Sequence, residues 1–127
     1  MSFLDNLKKA QFEDILPAWK VLDSVDQLAQ LVADSHTKPV AIFKHSTSCG
    51  VSAQAKFKLE QGWDIDPQTL DFYYLDLLQN RAVSNQIAAE LGVTHQSPQL
   101  ILLKDGQPIF HTSHHRISLS GLHNVLA

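Results

Sequence analysis

Five stretches of the chain are apolar and short enough to be strands. Val40-Ala41-Ile42-Phe43-Lys44 is nearly continuous and rich in β-branched residues, the pattern of a central strand buried on both faces. Trp19-Lys20-Val21-Leu22, the run Leu70 to Asp76, Gln99 to Leu103 and Pro108 to Thr112 are the other four. Between them the spacing changes to that of helices. Ser24 stands as an N-cap before Val25, with Leu28, Leu31 and Val32 on one helical face, and this helix should end near Ser35. Val51, Ala55 and Leu59 recur at i, i+4, i+8 and predict a helix from Val51 to Glu60, with Gly62 at its C′ position. Asn80 should cap a helix from Arg81 to Leu91 whose stripe is Val83, Ile87, Ala88 and Leu91, closed by Gly92. Ser118 to Leu126 offers a short last helix. Asp105-Gly106 between two apolar runs is a hairpin signal.

The resulting order is β-α-β-α-β-α-β-β-α. Early βαβ units imply parallel pairing through right-handed crossovers, and the hairpin adds antiparallel strands. The expected class is therefore α/β, a central mixed sheet flanked by helices on both faces. Residues 1–17 read as an N-terminal lead-in in which Phe3, Leu4 and Leu7 share one helical face until Pro17. Residues 18–127 form a single domain without linker or repeat.

Composition narrows the class of function. At 127 residues and 44% hydrophobic, the chain can bury an ordinary core. Its single cysteine closes no internal disulfide and builds no thiolate zinc cage, which excludes disulfide scaffolds and zinc fingers. A net charge of −3, with only short basic pairs such as Lys8-Lys9, argues against a nucleic-acid partner. No run approaches a membrane span, and the first twenty residues lack an apolar signal-peptide core. A cytoplasmic protein whose lone cysteine stays a thiol is the expectation.

The chemistry centres on that cysteine. Cys49 follows the buried strand and precedes a helix, so unpaired N–H groups and the helix dipole favour its thiolate, the nucleophilic form. Gly50, Val51 and Ser52 would contribute those N–H groups. Ser52 adds a hydroxyl but no second thiol. His45, four residues earlier, would stabilise a thiolate when charged. Ser97-Pro98 precedes the fourth strand; by itself it is an ordinary trans turn. His111, His114 and His115 lack the spacing or carboxylate of a metal site and read as a solvated strand end, and no metal is expected. Trp19, Trp63, Tyr73 and Tyr74 read as core or rim aromatics.

Together these features resemble the thioredoxin fold. Lys44-His45-Ser46-Thr47-Ser48-Cys49-Gly50-Val51-Ser52 sits where that superfamily carries Cys-x-x-Cys. Tyr74-Leu75-Asp76, Leu91-Gly92-Val93, Ser97-Pro98-Gln99 and Leu102-Leu103-Lys104-Asp105-Gly106 follow in the same order. More narrowly, Lys-His-Ser-Thr-x-Cys with Ser at the fourth motif position is similar to the YtxJ-like family of monothiol bacilliredoxins, over residues 19–125. The resemblance implies a protein that removes bacillithiol from mixed disulfides on client proteins. Cys49 would be the nucleophile, bacillithiol the co-substrate rather than a bound cofactor, and S-thiolated proteins the partners of a monomer or weak dimer. It also implies that Pro98 is cis and that the Ser97 backbone pairs with the thiol ligand. Lys44 would pair a ligand carboxylate. Thioredoxins carry a buried Asp six positions before the nucleophile, and Phe43 there suits a chain with no resolving thiol. The relatives often have Pro after the cysteine where this chain has Gly50. The resulting Cys-Gly-x-Ser resembles the monothiol glutaredoxins, which implies an alternative, a carrier of a [2Fe–2S] cluster. A redox-inactive interaction module is the third reading.

Overall fold

The computed structural model describes residues 15–127, so the helical face expected from Phe3, Leu4 and Leu7 lies outside the described residues. Five strands, β1 (Lys20–Val21), β2 (Val40–His45), β3 (Asp71–Asp76), β4 (Gln99–Lys104) and β5 (Gln107–Ser113), form one sheet in the order β1-β3-β2-β4-β5. β1 and β2 run parallel to β3, whereas β4 is antiparallel to both β2 and β5. Four helices complete the described residues: α1 (Val25–Asp34), α2 (Gly50–Gln61), α3 (Arg81–Leu91) and α4 (Leu119–Leu126). A 3-10 turn at His114–Arg116 joins β5 to α4. The mixed sheet with helices on both faces is the architecture expected of the sequence.

Strand alternation builds two cores. Ala41 and Phe43 of β2, Phe72 and Tyr74 of β3, and Leu100 and Leu102 of β4 face α2 and α4, meeting Ala55, Leu59 and Leu122. Val40, Ile42, Leu75, Ile101 and Leu103 face the other way, against Leu28 and Leu31 of α1 and Val83 and Ile87 of α3. β2 is buried at every position, as its apolar run requires. Trp19 packs at 4.6 Å from Phe72 and 5.4 Å from Trp63, so these aromatics line the core. β1 is shorter than its apolar run, because Trp19 turns inward and Leu22 leaves the ladder after donating to Tyr74 O at 2.9 Å.

The turns follow their residues with two exceptions. Asp105 (φ 54°) and Gly106 (φ 76°) both take positive φ, the twist that suits a two-residue hairpin. Gly92 closes α3 in the left-handed region at φ 65°. Gly62, expected to do the same for α2, instead has φ −122°, so its lack of a side chain is not demanded by backbone twist. Asn80 makes no side-chain cap to α3; its amide donates to Asp76 O at 3.1 Å and fixes the loop after β3. Ser24 caps α1 as expected, accepting from Gln27 N at 3.1 Å.

Candidate functional site

β2 ends at His45, and the chain then needs only four residues to reach the start of α2. Cys49 is the N-cap of that helix, half-buried, with an extended backbone (φ −111°, ψ 122°). Its carbonyl accepts the first helical bond from Ala53 N at 3.0 Å. Its side chain makes no capping bond, so the N–H groups of the first turn, at Gly50, Val51 and Ser52, have no side-chain acceptor from the cap. A negative charge placed there meets the positive end of the helix dipole.

The loop that carries Cys49 is tied down from beneath. Ser52 is fully buried, and its hydroxyl lies 2.7 Å from His45 Nδ1 and accepts from Ser46 N at 3.0 Å. Cys49 N donates to Ser46 O at 3.2 Å, and the Ser46 and Ser48 hydroxyls are 3.3 Å apart. Ser52 thus stands at the fourth position of the motif, where a second thiol would sit in a dithiol relative, and turns inward to hold the loop. His45 is itself fully buried between the rings of Phe43 (5.7 Å) and Tyr74 (5.6 Å). The sequence suggested a charged imidazole beside the thiol. In the structure the imidazole Nδ1 is engaged by Ser52, beneath the loop.

Lys44 goes to the opposite face. Strand alternation points it with Val40 and Ile42, and it is fully buried, its Nζ donating to Ser84 O at 3.2 Å and lying 3.3 Å from His95 Nδ1. Burial pushes Lys44 down to about 8. Burial, followed by the charges of Lys44 and Arg81, holds His95 below the ordinary histidine range. The structure thus places the Lys44 ammonium, expected to pair a ligand carboxylate, where it ties β2 to α3 and to the loop before β4. That Lys44–Ser84–His95 cluster was missed in the sequence, since its members lie on three separate elements.

Ser97-Pro98 is brought to the same end of the sheet. Gln99 pairs with Lys44 across β4 and β2, so the preceding peptide lies level with the end of β2, where the Cys49 loop begins. The Ser97–Pro98 bond is cis. Pro98 is buried, its carbonyl accepts from His114 N at 3.0 Å, and Ser97 Oγ is buried with no hydrogen-bond partner among the described residues. Chemically the arrangement offers one thiol at a helix N-terminus next to a peptide edge that can pair with a bound chain or ligand. The three clustered histidines are divided: His111 faces away from α2 along with Ile101, while His114 and His115 belong to the 3-10 turn. Among the described residues no three His, Cys, Asp or Glu side chains gather as a metal site. Nor is any described helix long and apolar enough to cross a membrane.

The family model for BrxC, the monothiol bacilliredoxin, matches residues 20–122. A solved structure described as a candidate oxidoreductase with a thioredoxin fold is 30% identical, with a TM-score of 0.71, covering 87% of this chain and 95% of its own. Thioredoxin from Malassezia sympodialis is 25% identical (TM-score 0.66, 90% of this chain, 94% of that one). Thioredoxin from Fasciola hepatica, at 17% identity, shares the fold with a TM-score of 0.66 over 84% of this chain and 95% of that one.

Proposed function

The chain belongs to the monothiol bacilliredoxin family, and from that membership we propose that it removes bacillithiol from protein mixed disulfides through Cys49. Thiol redox chemistry follows from the family and from the thioredoxin fold. The observation that carries the finer proposal is the position of the lone thiol: half-buried Cys49 caps α2 while buried Ser52 fills the place of a second thiol. Such a site can take a thiol group from a client and hold it, but cannot close a disulfide on itself.

The exchange balances in two steps. The Cys49 thiolate attacks the bacillithiol sulfur of the client's mixed disulfide; the client thiolate leaves and takes up a proton from water. Cys49 is now S-bacillithiolated. A second bacillithiol thiolate attacks the bacillithiol sulfur of that adduct, releasing bacillithiol disulfide and restoring the Cys49 thiolate. Gly50, Val51 and Ser52 N–H groups offset charge on the Cys49 sulfur. The Ser97 backbone and its partnerless hydroxyl receive the bound ligand, and Pro98 holds that edge without an N–H of its own. Neither step needs a bound cofactor, and both suit a reducing cytoplasm.

A test protein carrying one S-bacillithiolated cysteine measures this directly. The wild-type chain with bacillithiol should free the test thiol, and Cys49→Ser should not. Release by Cys49→Ser at the wild-type rate would overturn the proposal.

A further inference from the structure

Beside the cis-peptide edge, the 3-10 turn opens a shallow cavity of about 300 Å³ lined by Ser113, His114, His115 and Arg116. We propose that this turn is a carboxylate subsite for the low-molecular-weight thiol, an inference that rests on the exchange chemistry above. Four observations carry it. The turn is joined to the docking edge, because His114 N donates to Pro98 O at 3.0 Å. It is joined to the nucleophile's helix, because Lys58 Nζ of α2 donates to His115 O at 3.3 Å and adds a cation to the rim. The lining holds two imidazoles and a guanidinium but no acid, and Arg116 makes no ion pair among the described residues. His114 takes a left-handed backbone at φ 55°, a conformation uncommon for a residue other than glycine.

An acid-free cavity that holds the Arg116 guanidinium, on a chain whose formal net charge is −3, selects for a negatively charged ligand. A guanidinium pairs with carboxylates through directed N–H bonds, an imidazole ring N–H adds a further donor, and Arg116 presents a planar fork for this purpose. The volume lies at the small end of ligand sites, enough for the acidic arm of a thiol whose sulfur is held at Cys49. The sequence grouped His114 and His115 with His111, and the structure instead groups them with Arg116 and Lys58.

The test compares two small disulfides that differ in charge. Disulfide of mercaptosuccinate carries carboxylates; bis(2-hydroxyethyl) disulfide carries none. In each, the Cys49 thiolate attacks one sulfur, forms a mixed disulfide and expels the other half as a thiolate, and the adduct is followed by intact mass after an acid quench. Arg116→Gln should slow the reaction with the carboxylate probe by about 5–10-fold and change the neutral probe by less than about twofold. Arg116→Lys should recover part of the lost rate, since it restores the charge but not the planar fork. Equal rates for wild type and Arg116→Gln on the carboxylate probe, or an equal loss on both probes, would overturn the subsite. A charge-dependent reaction with mercaptosuccinate disulfide, alongside no adduct from bacillithiol disulfide, would leave the subsite standing and overturn bacillithiol as the co-substrate. No Cys49 adduct with any of the three disulfides would overturn both.

Discussion

Replacing Lys44 by Met should make the protein more stable at neutral pH, although it removes two hydrogen bonds. Lys44 is fully buried and burial alone pulls it from 10.5 to about 8. The difference between those values corresponds to about 3 kcal/mol lost by the native state whenever the ammonium is charged. Met fills a similar volume without a charge. Against this, the bonds from Lys44 Nζ to Ser84 O and to His95 Nδ1 disappear, which costs about 2 kcal/mol together. The net expectation at pH 7 is a gain of about 1 kcal/mol. The pH dependence gives an independent check of sign. Below pH 8 both the folded and the unfolded wild type hold the proton, so the penalty is complete. Between 8 and 10.5 the unfolded chain binds more protons than the folded one, and wild-type stability rises with pH. Above 10.5 the penalty is gone. Urea unfolding of both proteins at pH 7, 8, 9 and 10 measures the difference, in which titrating groups not coupled to Lys44 cancel; His95, which is coupled to it, titrates below this range. The advantage of Lys44→Met should shrink steadily from pH 8 upward. A variant less stable than wild type at pH 7, or an advantage that does not change with pH, would refute the reasoning.

Ser52→Ala takes away the hydroxyl that serves His45 Nδ1 and Ser46 N together and should cost about 1–3 kcal/mol in urea unfolding; an unchanged midpoint would show that the buried hydroxyl does not hold the loop. His95 should titrate below the ordinary histidine range by NMR, and Lys44→Met should move it upward by removing one of the charges that lower it; a His95 that does not respond to Lys44→Met would place the two side chains apart.

The elements most legible in the sequence were those in which one local rule decides. The apolar run of β2 needs burial on both faces, Asp105-Gly106 needs positive φ, and Gly92 supplies the left-handed end of α3. Cys49 was legible for the same reason, since a strand followed within a few residues by a helix leaves a thiol at a helix N-terminus. What stayed hidden depends on direction and on distant partners. Lys44 and His45 are neighbours in sequence, yet strand alternation sends His45 toward α2 and Lys44 toward α3. Lys44 reads as a partner for a ligand carboxylate and His45 as a support for the thiolate, and the structure places each in a separate buried network. His111 was separated from His114 and His115 by the same alternation, while the link between His114 and Pro98 spans the β4–β5 hairpin and has no local signature. Asn80 shows the limit of capping rules: its amide group donates to Asp76 O, and its side chain caps no N–H of α3.

The most direct measurement is intact mass after anaerobic incubation with bacillithiol disulfide. One-thiol exchange predicts a single adduct, heavier than the protein by one bacillithiol less two hydrogens, located on Cys49 and removed by added bacillithiol. Protein that remains unmodified while its Cys49 thiol is still titratable would contradict the proposed exchange.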